Sequence, residues 1–247
     1  MKMIYAGTIV TGIVILIGIV VVLPVYYQKR PVSQSAILLS FSITNDSNIP
    51  QWCNDLSTIL EKHNLKAAVF ITGKVAERNP ACVSSFSSKD IDIGSQTYNY
   101  VNLTSISDYS VALEEVRSGK EVLDKTGNLN SRLFKAPYGS TDQDIYSFLT
   151  RSGIIADFSY AQQYNKYENG KFIKNELIVY DGSSFSSDQF SNIISSNKIP
   201  VLINFDNSTP IEEIDSFLSR LKSVSNSIYF INASELMGMN LTERKEM

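Results

Sequence analysis

The sequence predicts an α/β domain built around a mostly parallel sheet and preceded by one N-terminal transmembrane helix. Apolar strand-like runs alternate with amphipathic helical stretches about seven times between residues 36 and 231, as expected of successive βα units. Ahead of this pattern, residues 3–27 contain no charged side chain, and residues 9–25 are almost wholly Ile, Val, Leu and Gly. About 20 such residues cross a hydrocarbon core of about 30 Å, which indicates a membrane-spanning helix.

Each predicted strand is a short apolar run bounded by polar or turn-forming residues. Periodicity alone does not show whether these strands close into a barrel. In chain order the runs are Ala36–Ser42, Lys66–Ile71, Ile91–Ser95, Leu133–Ala136, Ile154–Tyr160, Glu176–Tyr180, Pro200–Phe205 and Ile228–Ile231.

The predicted helices carry apolar residues at intervals of three or four, or begin with a recognisable signal. In the first helix Trp52 and Leu56 have this spacing, whereas Pro80 should interrupt the second. Asp108 is placed to cap the third helix, and Pro210 opens the last, where a proline is tolerated. In order, the helices are Ile49–His63, Lys74–Phe86, Asp108–Gly127, Asp142–Arg151, Asp188–Ser196 and Pro210–Val224.

These elements divide the chain into a membrane anchor over 1–28, a linker over 29–35, one domain over 36–240 and a tail over 241–247. A cleaved signal sequence is the alternative to an anchor, because the small residues at 33–36 could imitate a cleavage site. Its apolar stretch would be shorter, about 7–15 residues, so the sequence favours a single-pass anchor.

Composition excludes several kinds of functional site. The 247 residues include one histidine and two cysteines, so a zinc site made of several histidines or a cysteine-rich zinc ribbon is impossible. The net charge of −3 offers no basic surface for nucleic acid. The lone histidine, His63, ends a predicted helix, where a cation is favoured by the helix dipole.

The side of the membrane is predicted from weaker signals. Positive charges flank both ends of the apolar stretch, so charge alone does not decide its orientation. Five N-x-S/T sequons occur, and Cys53 and Cys82 form an even pair that could make a disulfide in an oxidising compartment. Two buried free thiols are the alternative. Together these features favour an extracytoplasmic domain on a membrane anchor.

Five segments, taken in order, carry a resemblance to a known family. They are LLSFSIT at 38–44, KAAVFITGKVAERNP at 66–80, IGSQTYNYVNL at 93–103, FKAPYG at 134–139 and VLINFD at 201–206. This ordered set resembles the polysaccharide deacetylase family of carbohydrate esterases, also called the NodB-homology family. The resemblance implies a distorted (β/α) barrel whose cleft lies at the carboxyl ends of the strands. It also implies metal-assisted hydrolysis, usually with zinc, of an N-acetyl group on a glycan.

The resemblance places the family's catalytic roles on side chains that cannot perform them. The base aspartate falls on Ser42 and the metal aspartate on Ile43, while the two metal histidines fall on Gln96 and Tyr100. None of these four is a normal zinc ligand, so we expect no metal at the usual site and assign a catalytic role to no residue.

Other positions of the expected cleft keep polar or aromatic side chains. The arginine that would orient the base is Lys135, and the intact Pro137–Gly139 turn could still aim the Tyr138 backbone N–H into the cleft. The late histidine falls on Phe205, or on Asn204 if the register slips by one. With Asp46, Asp157 and Asp206 added, the cleft candidates are Asp46, Gln96, Tyr100, Lys135, Tyr138, Asp157 and Asp206.

Two further uses of these residues stay open. Oxygen atoms of Asn45, Asp46, Gln96, Asp157 and Asp206 could hold Ca²⁺ or Mg²⁺, although turn capping and backbone bonding explain them as well. Aromatic residues near the expected cleft could stack on sugar rings, or could simply fill loops. They are Tyr98, Tyr100, Tyr138, Phe158, Tyr160, Tyr164 and Tyr167.

The sequence therefore favours a membrane-anchored, deacetylase-like protein without metal-dependent activity that binds a glycan or a protein at the barrel cleft. One alternative is an active hydrolase of non-peptide C–N bonds in a glycan with a rebuilt site, supported by Lys135 and the Pro137–Gly139 turn. The other is a structural subunit of a surface or membrane assembly, supported by the anchor.

Overall fold

The computed structural model describes residues 34–44, 48–195, 199–223, 227–239 and 242–245. The predicted anchor lies outside these residues, as do Asn45 and Asp46. Within the described ranges, no helix is long and apolar enough to span a bilayer.

The described residues contain twelve strands, ten of which form one sheet in the order β8-β7-β6-β5-β3-β2-β1-β10-β9, with β11 also paired to β1. The two edge strands, β8 and β9, are separated in the chain by Leu177 alone, so the sheet curls into a nearly closed barrel. The strands are β1 (Ser35–Ile43), β2 (Ala67–Ile71), β3 (Ile91–Ser95), β4 (Leu129–Ser131), β5 (Leu133–Phe134), β6 (Ala156–Asp157), β7 (Gln163–Glu168), β8 (Lys171–Glu176), β9 (Ile178–Asp181), β10 (Val201–Asp206), β11 (Ile228–Phe230) and β12 (Thr242–Arg244).

The helices pack mainly on the outside of this sheet, as the predicted α/β class requires. As predicted, Pro80 separates two short helices, and the Asp108 carboxylate accepts a hydrogen bond from the Ser110 N–H at the start of a long one. The helices are α1 (Ile49–Lys62), α2 (Gly73–Arg78), α3 (Pro80–Ser85), α4 (Tyr109–Gly127), α5 (Gln143–Arg151), α6 (Ser187–Ser195), α7 (Ile211–Ser223) and α8 (Ala233–Met237).

Side chains of the central strand β1 alternate between two hydrophobic layers. Leu39, Phe41 and Ile43 belong to the layer between the sheet and its helices, whereas Leu38 belongs to the barrel interior. β1 is parallel to both β2 and β10, with Ser42 opposite Phe70 and Asp206. Its interior-facing residues change from apolar to polar toward its carboxyl end, where Ser40 and Ser42 replace the apolar side chains.

The sheet is mostly parallel, as predicted, but one antiparallel hairpin makes it mixed. β7 pairs antiparallel with both β6 and β8, and this hairpin was absent from the sequence prediction. Its turn, Asn169-Gly170, has positive φ at both residues, which fits a two-residue hairpin turn. The predicted strand Ile154–Tyr160 is shorter than expected, because the Ser159 N–H bonds back to the Asp157 carboxylate and turns the chain.

A disulfide and a histidine–aspartate contact each join two helices of the outer layer. Cys53 and Cys82 form a disulfide between α1 and α3, with their Cα atoms 5.2 Å apart. His63 ends α1, and its Nε2 lies 2.7 Å from an oxygen of Asp215 on α7. Its place at the helix end agrees with the capping role expected from the sequence.

Part of the predicted tail packs with the domain. Strand β12 pairs antiparallel with β4, with Thr242 opposite Ser131. The Arg244 guanidinium donates a hydrogen bond of 2.8 Å to the Phe86 carbonyl. These contacts extend the folded unit beyond residue 240.

Candidate functional site

The carboxyl ends of β1, β5 and β10 bring together a polar layer at the mouth of the barrel. Ser40 and Ser42 come from β1 and Asn204 from β10, while Lys135 directly follows β5. The Lys135 N–H donates to the Ser95 carbonyl over 3.0 Å, which continues the strand pairing and fixes where the lysine side chain begins. Above the apolar interior, this end of the barrel therefore carries hydroxyl, amide and amine groups.

Lys135 connects this layer by hydrogen bonds. Its Nζ donates to the Ser42 hydroxyl over 3.1 Å and to the Asn204 Oδ1, and it lies 5.4 Å from the centre of the Phe70 ring. The Ser40 hydroxyl donates to the same Asn204 oxygen over 3.1 Å. Burial lowers the pKa of Lys135 to about 8, while the negative charge of Asp206 acts in the opposite direction.

A cavity of about 410 Å³ opens above this layer. Its size falls within the range of about 300–1,000 Å³ that is usual for small-ligand sites. Lys135 and Asn204 supply its polar side, and the rings of Phe158 and Tyr160 line another wall. The full lining is Lys135, Tyr138, Gly139, Phe158, Ser159, Tyr160, Ala161, Val179, Leu202 and Asn204.

Two tyrosines at the cavity mouth have left-handed backbone conformations. Tyr138 has φ 58° and Tyr100 has φ 60°, and their ring centres are 5.3 Å apart. Such conformations are costly for bulky residues and cluster at functional sites. Tyr138 is 70% exposed, although its side chain is a large aromatic group. Burial, together with nearby Tyr138 and Asp206, raises the pKa of the Tyr100 hydroxyl.

The positions that would hold the family's metal do not fit zinc. Ile43 is fully buried in the layer between sheet and helices, so its side chain is on the other face of the sheet from Ser42. The Gln96 amide is also buried and donates to the Phe70 carbonyl over 2.8 Å. The ammonium of Lys135 would repel a cation bound beside Ser42. Among the residues that the structure describes, no group of three His, Cys, Asp or Glu side chains gathers.

Asp157 is buried behind the cavity, in a hydrogen-bond network that includes Ser159 and Tyr160 of the cavity lining. Its carboxylate accepts bonds from the Ser159 N–H at 3.0 Å and from the Tyr146 hydroxyl of α5 at 3.3 Å. The Asn165 amide donates to the same Tyr146 hydroxyl over 2.7 Å. Burial raises the pKa of Asp157 to about 6, against the opposing effect of the Ser159 hydrogen bonds.

The remaining carboxylate candidates do not converge on the cavity. Asp206 is exposed at the end of β10, where its side chain accepts a 2.8 Å bond from the Ser208 N–H and so stabilises a turn. Asp46, like Asn45, lies outside the described residues. The oxygen-ligand site proposed for Ca²⁺ or Mg²⁺ is therefore not assembled by Gln96, Asp157 and Asp206, because their side chains are committed to three different backbone or side-chain partners.

The aromatic candidates separate into three groups. Tyr138, Tyr160 and Phe158 line the cavity, and Tyr100 packs against Tyr138. Tyr164 stacks on Phe158 at 5.4 Å, behind the cavity wall. The other two are outside this cluster: the Tyr98 hydroxyl bonds to Glu77, and the Tyr167 ring packs on Phe172.

Sequence reasoning missed the supporting roles of Ser40 and Tyr146. Alternation along β1 could have indicated Ser40, because it lies two residues before Ser42 on the same face. The same rule decides between the two positions considered on β10: Asn204 is in the cleft, whereas Phe205 stacks on Phe41 in the outer layer. Tyr146 lies on an amphipathic helix, and no local signal marks it as a partner of Asp157.

Comparison with known proteins agrees with this fold. The family model described as polysaccharide deacetylase matches residues 29–156. A peptidoglycan-N-acetylglucosamine deacetylase from Bacillus cereus is 20% identical over 205 residues, which are 80% of this chain and 67% of that protein. The corresponding deacetylase PgdA from Listeria monocytogenes is 24% identical over 190 residues, which are 76% of this chain. The chain spans only 36% of the Listeria protein's length.

Solved structures have the same fold at low sequence identity. A crystal structure of a peptidoglycan N-acetylglucosamine deacetylase has a TM-score of 0.61 at 19% identity, covering 87% of this chain and 92% of that one. A CE4 family pseudoenzyme from Bacillus anthracis has a TM-score of 0.59 at 16% identity, covering 83% of this chain and 66% of that one. A mutant of that pseudoenzyme is described as having restored enzymatic activity.

The raised pKa of Asp157 predicts a pH-dependent stability. Because the folded-state pKa of about 6 exceeds the ordinary value of 3.8, the contribution is fully present below pH 3.8 and is lost as pH rises through 6. The loss is about 3 kcal/mol. We expect the free energy of unfolding of the wild type to fall by most of this amount relative to Asp157→Asn between pH 4 and pH 7, measured by urea unfolding.

A matched control for this comparison is Asp188→Asn, which changes an exposed carboxylate on α6. Its stability curve should run parallel to that of the wild type over the same pH range. If the difference between wild type and Asp157→Asn stays constant with pH, the carboxyl group titrates normally and the assignment is wrong.

Proposed function

The chain belongs to the polysaccharide deacetylase family, and we propose that it is a member whose cleft binds a glycan without metal-dependent deacetylation. The observation that carries this proposal is the Lys135 ammonium, which bonds to Ser42 and Asn204 where a base and a metal would be needed. An ammonium in this position offers a hydrogen-bond donor in place of a Lewis acid. These residues therefore supply neither the carboxylate base nor the metal ligands that the family's usual reaction needs.

The cavity favours a sugar as the bound group. Sugar rings present apolar faces and hydroxyl edges, which suit an aromatic wall next to polar side chains. The exposed Tyr138 ring stands at the mouth, and Tyr160 and Asn204 line the interior. The two relatives named above act on peptidoglycan, as their names state, and this makes cell-wall glycans the first ligands to test.

A membrane location is part of the same proposal. The uncharged stretch over 3–27 supports an anchor, and the disulfide between Cys53 and Cys82 suits an oxidising compartment outside the cytoplasm. In this arrangement the cleft would meet glycans of the cell surface.

An active hydrolase with a rebuilt site is the second candidate, because the Lys135 amine lies 3.1 Å from the Ser42 hydroxyl. An unprotonated lysine could accept the hydroxyl proton while the Ser42 oxygen attacks an amide carbonyl. The C–N bond would then break, the amine would leave with that proton, and water would hydrolyse the acyl-serine. Ser42 is nearly buried and does not line the cavity, so binding without turnover is the better-supported proposal.

The first prediction of this proposal concerns catalysis. We expect no acetate release from acetylated chito-oligosaccharides with Zn²⁺, Mg²⁺, Mn²⁺ or Ca²⁺ added, because carboxylate base and metal ligands are both missing. The Bacillus cereus deacetylase is the positive control. Tight stoichiometric zinc with turnover would overturn the proposal, and metal-independent turnover that Ser42→Ala abolishes would replace it with the serine hydrolase.

The second prediction concerns binding. Tyr138→Ala should weaken binding of chitotetraose or of a peptidoglycan disaccharide roughly tenfold, because loss of one stacking ring costs about 1.4 kcal/mol. Isothermal titration calorimetry measures the change. Tyr109→Ala is the matched control, since Tyr109 is 55% exposed and bonds to Asp144 away from the cavity. Equal losses in both variants, or no binding by the wild type, would count against the cleft as a glycan site.

The third prediction concerns the compartment. Cys53 and Cys82 should resist alkylation in protein extracted from cells without reductant, because the proposed location is oxidising. Reduction should lower the free energy of unfolding by about 3–4 kcal/mol, as expected for a closed loop of about 30 residues. Free thiols in the freshly extracted protein would contradict the extracytoplasmic placement.

A further inference from the structure

The cavity presents a cation that is in contact with no carboxylate in the described part of the chain, although the more distant charge of Asp206 acts on it. The Lys135 ammonium has three N–H donors, and its two hydrogen-bond partners are the neutral oxygens of Ser42 and Asn204. Its remaining surroundings include the Phe70 ring at 5.4 Å. Lys135 also lines the cavity, so a bound molecule can reach the side chain directly.

Asn204 adds a second donor beside the lysine. A lysine can only donate, so the amide oxygen of Asn204 must face it, and the Ser40 hydroxyl donates to that oxygen as well. The amide nitrogen is therefore the end of the Asn204 side chain that is left for a ligand. Asn204 lines the cavity together with Lys135, so two adjacent side chains offer donors.

The charge environment favours an anion over a neutral group. Apolar walls from Phe158, Val179 and Leu202 surround the polar side of the cavity, which strengthens electrostatic interactions there. The Asp206 carboxylate is exposed and already accepts a 2.8 Å bond from the Ser208 N–H. A partly buried ammonium without a contacting carboxylate gains more from an incoming anion than an exposed one does.

We propose that the cavity binds a sugar that carries a carboxylate, with the carboxylate at Lys135 and Asn204 and the ring against Tyr138. This inference rests on the proposed glycan-binding function and specifies its ligand class. One negative charge matches one ammonium, whereas a phosphate dianion would leave a second charge in partly apolar surroundings. The two oxygen atoms of a carboxylate also match two neighbouring donors.

The protonation state of the lysine agrees with this proposal. Burial lowers the pKa of Lys135 to about 8, so the ammonium stays mostly protonated at neutral pH. A bound carboxylate would hold the proton more firmly, because it supplies the opposite charge at short distance.

The test compares two disaccharides that differ in one charge. The first is N-acetylglucosaminyl-N-acetylmuramic acid, whose lactyl group ends in a carboxylate, and the second is its methyl ester. We expect the wild-type domain to bind the acid at least tenfold more tightly than the ester at pH 7 in calorimetry. Equal binding of the two would overturn the carboxylate inference while leaving the glycan-binding function intact. Failure to bind either compound, together with chitotetraose, would instead remove the proposed function.

Variants of Lys135 and Asn204 test whether the preference for the acid over the ester arises at the lysine. Lys135→Met should bring the acid and the ester to within about twofold of each other, and Asn204→Asp should do the same by giving the ammonium an internal carboxylate. Lys166→Met is the control, because Lys166 pairs with Glu168 on β7 and does not line the cavity. Discrimination that survives both cavity variants would overturn the proposal, and the wild-type comparison remains decisive if either variant fails to fold.

Discussion

Alternation of side chains along β1 is the constraint on which both the packing and the cleft depend. β1 is bordered by β2 and β10 and is buried on both faces, so each residue must suit one of two environments. Phe41 and Ile43 pack against the helices, whereas Ser40 and Ser42 face the barrel interior. A slip of one residue would place hydroxyl groups in the outer hydrophobic layer and an isoleucine at the cleft. The packing of the helices thus fixes which side chains the cleft receives.

The aromatic mouth of the cavity depends in turn on the packing of α4. The Gly119 Cα on this helix approaches the Thr97 backbone so closely that an added Cβ would lie 2.4 Å from the Thr97 carbonyl carbon. On the same helix the Glu115 carboxylate accepts hydrogen bonds from the N–H groups of residues 98 and 99. These contacts hold a loop in which Thr97 and Tyr100 both have positive φ, and Tyr100 then supports the ring of Tyr138. The contacts with α4 hold the loop in this strained backbone conformation, as is common where a surface must be presented in one conformation.

The sequence predicted the elements that local patterns define and missed those that depend on distant partners. The strand Ile91–Ser95 has its predicted bounds, and β2 differs from its prediction by one residue because a buried strand such as AAVFI is a continuous apolar stretch. The β7–β8 hairpin is polar and was missed, although its Asn169-Gly170 turn is a strong local signal. Asp157 was expected in the cleft, yet its carboxylate bonds to Tyr146 on α5, a partner that periodicity could not identify. At the site, the sequence identifies which polar residues lie near the ends of the strands. Which face of each strand carries them depends on how the strands pair in the folded domain.

The polar layer explains how one fold can change its chemistry without losing its structure. Buried hydrogen-bonding groups must satisfy one another, so the loss of a carboxylate at residue 42 would leave a basic neighbour without its partner. Here the Lys135 amine reaches two neutral oxygens, those of Ser42 and Asn204, and the layer stays connected. Most of the apolar core that stabilises the barrel is separate from this layer, since Leu38 packs in the barrel interior and Phe41 packs against the helices. Hydrogen bonds to neutral oxygens satisfy the geometry of an ammonium but leave its charge unbalanced. For that reason the residues that replace the family's base and metal ligands support the proposed preference for anions.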